Sequence, residues 1–160
     1  MIRPVELSDS NEICEIYNYY VENTAVTFEE KKLSLQETKK RITEISLKYP
    51  YFVYKNTEGI AGYCYANYFR SYSAYKYTAE LSIYLKKDIV RQGCGTELFT
   101  CLLDELKNTK THIALSVITV PNQASIKLHK NFGFKKVGYL TESGYKLGRF
   151  HDVSFWELKF

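Results

Sequence analysis

Apolar side chains at Ile13, Ile16, Tyr17, Tyr20 and Val21 recur at i, i+3, i+4, i+7 and i+8, which predicts a helix with one apolar face that Asp9 or Ser10 can cap. A second helix is predicted after Ser34. Ser34 and Glu37 have the spacing of a capping box, Ile42 and Ile45 supply apolar positions, and Tyr49-Pro50 ends the run. Residues 2–5 read as a short strand. The runs 51–55 and 60–69 read as two longer strands joined by Asn56-Thr57-Glu58-Gly59, which has the residues of a hairpin turn. Residues 77–85 form a further strand with a period of two, so Leu81, Ile83 and Leu85 face one side and Glu80, Ser82 and Tyr84 the other. A carboxylate thus shares a face with hydroxyls. Phe99, Leu102, Leu103 and Leu106 predict a helix from about Thr96 to Lys107, followed by an apolar strand over 113–120. The spacing then predicts a helix over 125–132 that stops at Gly133, and two final strands within 134–160, connected near Gly144 and Gly148. Strands and helices in this order predict an α/β or α+β domain with a mixed sheet.

Nothing in the 160 residues divides the chain: there is no Pro/Gly/Ser-rich linker, repeat or low-complexity tract, so residues 1–160 are expected to form one domain. The net charge of +4 is spread without a like-charge block or a basic stripe interleaved with aromatic rings, which argues against a nucleic-acid groove. A mild positive field does suit an anionic cofactor. The first residues lack the apolar core of a signal peptide, and no apolar run approaches the roughly 18 residues that span a bilayer, so a cytoplasmic protein without a membrane partner is expected. Cys14, Cys64, Cys94 and Cys101 have no C-x-x-C spacing and read as free thiols, with no metal site. The 15 Tyr and 9 Phe are an excess for this length, most of it assignable to core packing.

The turn Arg91-Gln92-Gly93-Cys94-Gly95-Thr96 lies between a strand and an amphipathic helix. Glycines there let backbone N–H groups approach a pyrophosphate, the helix N-terminus adds a positive dipole end, and Arg91 adds a cation. A G-x-G turn alone is equally a plain strand-to-helix connection. The order of this turn, helix and apolar strand, followed by Asn122-Gln123-Ala124-Ser125-Ile126-Lys127-Leu128-His129-Lys130-Asn131-Phe132-Gly133-Phe134, resembles the GNAT superfamily of acyl-CoA N-acyltransferases. The segments Tyr19-Tyr20-Val21-Glu22-Asn23-Thr24-Ala25-Val26-Thr27-Phe28-Glu29, Phe69-Arg70 with Ala74-Tyr75-Lys76, Thr78-Ala79-Glu80 with Ile83-Tyr84, and Gly144-Tyr145-Lys146 through Phe155-Trp156 are similar to the phosphinothricin N-acetyltransferase family within it. The resemblance covers nearly the whole chain. It implies a single GNAT-like α/β (α+β) domain, with a central mixed, mostly antiparallel twisted sheet flanked by helices on both faces, acetyl-CoA as cosubstrate and a homodimer. One departure stands out: Val90 occupies the position where that family carries Gln or Arg at the head of the turn.

The same resemblance distributes roles. It places the pyrophosphate on Arg91, Gln92, Gly93, Cys94, Gly95 and Thr96, the acetyl carbonyl against the backbone of Ile83, Tyr84 and Leu85, and the segment bearing Asn122, Ser125 and Lys130 beside the pantetheine. Glu80 is the candidate general base for the substrate ammonium, alone or through water, against the ordinary alternative of a solvated or ion-paired carboxylate. His129 lies where many relatives carry a Tyr that protonates the departing thiolate; an imidazole can do this or serve as a hydrogen-bonded structural group. For the acceptor, Arg70 offers a planar fork to a carboxylate or phosphinate, with Tyr75 and Thr78 beside it and Lys76 as a further cation. Thr27, Phe28 and His151 lie in the family-like segments and are expected to line the acceptor pocket or a subunit boundary. The expected activity is acetylation of a small amino-acid-like amine of the phosphinothricin, methionine sulfoximine or methionine sulfone type. Acetylation of a protein N-terminus or a polyamine, and a CoA-binding module without turnover, stay open as alternatives.

Overall fold

The computed structural model describes residues 1–89 and 93–160. Among them the elements run β1 (Ile2–Pro4), α1 (Ser10–Asn23), α2 (Leu35–Ser46), β2 (Tyr51–Asn56), β3 (Gly59–Tyr68), β4 (Thr78–Leu85), α3 (Cys94–Lys107), β5 (Ile113–Val120), α4 (Gln123–Asn131), β6 (Lys135–Lys146) and β7 (Arg149–Lys159). The strands follow the order β1-β2-β3-β4-β5-β7-β6. β4 pairs with β5 in parallel, whereas β1–β2, β2–β3, β5–β7 and β6–β7 are antiparallel, so the sheet is mixed and mostly antiparallel as expected. Two compact units divide the chain: Met1–Asn18 with Leu33–Asn67 and Leu81–Lys110, and Tyr19–Lys32 with Tyr68–Glu80 and Thr111–Phe160.

In the first unit, local sequence accounts for most boundaries. Ser34 caps α2 by accepting the Glu37 N–H at 3.1 Å, and Glu37 reciprocates by accepting the Ser34 N–H at 2.6 Å. The helix closes at Ser46, ahead of Tyr49-Pro50. Asp9 works differently from the expected cap. A short 3₁₀ turn over Leu7–Asp9 precedes α1, and Asp9 accepts the Glu6 N–H at 2.8 Å while Arg3 grips its two oxygens at 2.8 and 2.7 Å. That fork ties β1 to the entry of α1. The β2–β3 hairpin turns on two residues, 57 and 58, as the Asn-Thr-Glu-Gly run predicts. Helix α3 begins at Cys94, two residues before the expected start, because Gly93 at φ +79° brings the chain into the helix earlier. Its core row is therefore longer than predicted, with Cys94, Leu98, Leu102 and Leu106 at successive i+4 positions beside Phe99 and Leu103, all buried. Truncating a fully buried leucine in this row to alanine costs about 2–5 kcal/mol.

Only part of the tyrosine excess is core: Tyr17, Tyr51 and Tyr63 are buried, whereas Tyr19, Tyr68, Tyr72, Tyr75, Tyr77, Tyr139 and Tyr145 are exposed, so the expectation that most of it serves core packing is not met. Tyr63 contacts Tyr51, Tyr65 and Tyr84 with ring centroids 5.4–6.3 Å apart, and Tyr84 meets Tyr17 edge-on at 5.2 Å. Several of these rings wall a cavity of about 30 Å³.

In the second unit, β7 runs between β5 and β6. Its pairing with β5 extends from Ile113↔Lys159 to Val120↔Asp152. Trp156 donates Nε1–H to Ser154 Oγ at 2.8 Å, and Ser154 in turn donates to the Ile118 carbonyl at 3.2 Å, so the buried indole is satisfied within the sheet. The β6–β7 turn is Leu147-Gly148, both at positive φ, and Gly144 sits inside β6 rather than in the connection where the sequence placed it. Helix α4 also starts two residues early, at Gln123, because Asn122 caps it by accepting the Ser125 N–H at 3.1 Å.

Candidate active site

The first unit carries the turn. The helix N-terminus there has Cys94, Gly95 and Thr96 in its first turn, while the Glu97 N–H already bonds to the Gly93 carbonyl at 3.0 Å. The three residues whose N–H groups precede the first intrahelical bond are thus three of the six that the resemblance assigns to the pyrophosphate. Gly93 is exposed and a Cβ there meets only the end of Glu97, at 3.8 Å, so its positive φ and not lack of space demands glycine. Cys94 points its thiol into the core beside Tyr54, which suits turn packing and not nucleophilic catalysis. Arg91, Gln92 and the departure at Val90 lie outside the described residues. In the same unit Ile83, Tyr84 and Leu85 end β4, with Tyr84 turned to the tyrosine cluster. The residues present fit an anionic cofactor at the N-terminus of α3.

The acceptor-side candidates all lie in the second unit, in two groups. Glu80 ends the part of β4 that pairs with β5, a parallel ladder of Thr78↔Ile113, Ala79↔Ala114 and Glu80↔Leu115. The carboxyl is half-buried, and burial pushes it above the usual glutamate range, while the positive charge of Arg70 pulls it part of the way back. Arg70 is therefore near enough to act on Glu80. Its guanidinium lies over the Phe69 ring, 4.8 Å from the centroid, and Phe69 meets Tyr75 edge-on at 5.5 Å. Arg70 and Tyr75 both meet Phe69, while Thr78 and Glu80 lie two residues apart on β4.

Thr27 and Phe28 belong to the irregular segment after α1. Phe28 packs on Gly144, where a Cβ would overlap its ring, and lies 6.2 Å from the ring of His151. His151 is buried and donates from Nε2 to the Lys146 carbonyl at 2.8 Å, so it fastens the hairpin beneath Phe28. Sequence reasoning missed Lys146. It is 3% exposed, and its ammonium donates to the Thr27 carbonyl at 2.8 Å. Gly144 and Lys146, two residues apart, share the inward face of β6.

On α4, His129 is 2% exposed, edge-on to Phe134, with Nδ1 2.7 Å from the Ser125 carbonyl. Burial lowers its pKa, and the bond to Ser125 only partly offsets this, so the ring is neutral near pH 7. Ser125 and Asn122 form the cap at the start of the helix, and Lys130 lies 5.8 Å from the Trp156 ring centroid. Among the described residues no group of three or more His, Cys, Asp and Glu side chains is placed to hold a metal ion, and no helix is long and apolar enough to cross a membrane.

The chain is similar to known acetyltransferases. Residues 2–155 match the acetyltransferase (GNAT) domain family. The chain is 33% identical to the phosphinothricin N-acetyltransferase of Streptomyces viridochromogenes, covering 99% of this chain and 87% of that one. It is 30% identical to the L-methionine sulfoximine/L-methionine sulfone acetyltransferase of Salmonella typhimurium, over 99% and 93% of the two chains. Among solved structures, a GNAT superfamily phosphinothricin acetyltransferase from Sinorhizobium meliloti in complex with AcCoA superimposes with a TM-score of 0.96 at 32% identity, covering all of this chain and 88% of that one. The chain belongs to the GNAT acetyltransferase family.

Proposed function

We propose that the protein transfers an acetyl group from acetyl-CoA directly to the primary amine of a small amino-acid-like acceptor of the phosphinothricin, methionine sulfoximine or methionine sulfone type. Residues 1–160 act as one N-acetyltransferase domain in a cytoplasmic homodimer. The names of the two relatives and the acetyl-CoA-bound neighbour support the donor and the acceptor class. The observation that carries the reading is the half-buried Glu80 carboxyl, held above the ordinary range and within electrostatic reach of Arg70, a cation shaped for an oxyanion.

The chemistry follows from these groups. An amino-acid amine arrives as an ammonium and cannot attack. Arg70 holds the acceptor's carboxylate or phosphinate, assisted by Tyr75 and Thr78, while Thr27, Phe28 and His151 shape the rest of the pocket. Glu80, directly or through a water, takes the ammonium proton, and its raised pKa makes it a better proton acceptor than an ordinary glutamate. Acetyl-CoA, when bound, supplies the thioester. The backbone at Ile83, Tyr84 and Leu85 polarises its carbonyl, and the N–H groups of Cys94, Gly95 and Thr96, together with Arg91 and Gln92, hold its pyrophosphate. The freed amine nitrogen attacks the thioester carbon; as the carbon–sulfur bond breaks CoA leaves as the thiolate, and the second proton shed by the nitrogen passes through solvent to that sulfur, giving the amide and free CoA thiol. Asn122, Ser125 and Lys130 stand on the pantetheine side, with His129 as a neutral imidazole whose Nε2 carries the lone pair.

Arg70→Met tests the acceptor assignment, with Arg70→Lys as its control. The Met variant is expected to raise the acceptor KM at least about tenfold with the acetyl-CoA KM unchanged, a loss the Lys variant repairs in part. An unchanged acceptor KM in Arg70→Met contradicts the assignment.

A further inference from the structure

The segment carrying Thr27 and Phe28 has little local structure to hold it. Between Thr24 and Leu33 it forms neither helix nor strand: Val26 N–H bonds to Thr24 Oγ1 at 3.2 Å, Glu29 N–H to Thr27 Oγ1 at 3.3 Å, Asn18 bonds both the N–H and the carbonyl of Leu33 at 2.9 Å, and Lys32 pairs with Glu22 at 2.9 Å. The exposed ion pair contributes little. A much longer-range tie meets the segment at its centre. Lys146, 119 residues away in sequence, donates its ammonium to the Thr27 carbonyl at 2.8 Å.

Burying an ammonium is costly, and a methionine of similar length would fill the same space without that cost. What lysine provides and methionine does not is a directional bond to one carbonyl and an attraction to Glu29 and Glu30, both of which act on its charge. The residues around it form a seat for the same two residues of the segment. Gly144, on the same face of β6, leaves room for the Phe28 ring. His151 pairs across from Gly144, lies 6.2 Å from that ring, and holds the Lys146 carbonyl in place through Nε2–H.

We propose that Lys146 is a positioning residue for the acceptor side of the site: its buried ammonium fixes the Thr27 carbonyl, seats Phe28 on Gly144 and His151, and thereby sets affinity for the acceptor. This rests on the reading above that Thr27 and Phe28 line the acceptor pocket.

The test compares Lys146→Met, Lys146→Arg and Gly144→Ala in two independent readouts: amide hydrogen exchange of residues 24–32 in the free protein, and steady-state kinetics with methionine sulfone as acceptor. Lys146→Met is expected to speed exchange in that segment at least about tenfold, with the cores of α3 and β5 unaffected. Its acceptor KM is expected to rise about tenfold, with kcat within about threefold and the acetyl-CoA KM unchanged; Lys146→Arg restores most of both effects. Gly144→Ala keeps the ammonium, displaces Phe28 and is expected to raise the acceptor KM by a similar factor, so it carries the test if the Met variant does not fold. Unchanged exchange in Lys146→Met overturns the positioning role. Faster exchange with an unchanged acceptor KM also overturns the proposal, and does so through the placing of Thr27 and Phe28 in the acceptor pocket. An unchanged acceptor KM in Gly144→Ala overturns it as well.

Discussion

His129 Nδ1 lies 2.7 Å from the Ser125 carbonyl oxygen, one turn earlier on α4. A carbonyl only accepts, so the ring proton sits on Nδ1, and in the neutral ring Nε2 carries the lone pair. Donating a proton from Nε2 would require the imidazolium, which burial disfavours. His129→Phe keeps the ring shape and is expected to lower kcat less than about tenfold, well short of the loss of a general acid. Stability follows the same asymmetry. A histidine whose folded pKa is depressed contributes stability that is present above its ordinary value and lost as pH falls through the window below about 6.5. Chemical denaturation from pH 7 to pH 5 should therefore show wild type losing ground to His129→Phe.

Glu80→Gln preserves shape and removes the base. We expect kcat/KM to fall about 10²- to 10⁴-fold in single- and multiple-turnover assays. In wild type the rate should rise with pH through a value above the usual glutamate range, since the base works only when ionised and burial raises its pKa against the pull of Arg70. The linkage sign is opposite to that of a paired carboxylate: the folded state holds this proton more tightly, so Glu80 favours folding at low pH and opposes it once ionised. At neutral pH the Gln variant should be at least as stable as wild type, with the difference shrinking as pH falls through the raised value. A variant that retains wild-type turnover rules out Glu80 as the base.

Gly93 at φ +79° opens α3. Gly93→Ala places a side chain in left-handed backbone at a cost of about 1–2 kcal/mol, without a steric clash. Either the helix start shifts or the strain is kept. In both cases the N–H groups of Cys94, Gly95 and Thr96 move, and calorimetric titration with acetyl-CoA should show affinity reduced about tenfold, while the acceptor KM is unchanged.

Asp9 and Arg3 form the two-pronged pair that joins β1 to α1. Burial pushes the Asp9 carboxyl up, but the Arg3 fork and the Glu6 N–H more than reverse this and hold it below the usual range. Asp9→Asn should cost about 1.5–3 kcal/mol at pH 7 by urea denaturation. Because the folded pKa is depressed, that contribution is present above the ordinary carboxylate value and disappears as pH falls through the depressed one, so the gap between wild type and variant should close in acid.

The features legible in the sequence are those set by neighbours in sequence. The Ser34–Glu37 box forms both of its bonds, the 113–120 strand has the bounds read from its apolar run, and the alternation read in β4 shows in buried Ala79 and Leu81 beside half-buried Thr78 and Glu80. The starts of α3 and α4 were misplaced because the residues that set them, Gly93 through its dihedral and Asn122 through its side-chain bond to Ser125, act before the apolar periodicity begins. Lys146 was illegible for another reason. Its burial depends on a carbonyl at Thr27, and no local pattern marks a lysine that will face inward. The depressed pKa of His129 and the raised one of Glu80 likewise come from burial, which only the folded chain provides.

The central claim concerns the amine. Thiol release from acetyl-CoA should be followed with purified protein against phosphinothricin, methionine sulfoximine, methionine sulfone, the common amino acids, spermidine and short peptides with free N-termini, with the acetylated product identified by mass. We expect kcat/KM for at least one of the three amino-acid analogues to exceed those for spermidine and the peptides by about 10²-fold or more. Turnover confined to the polyamine or the peptides contradicts the account.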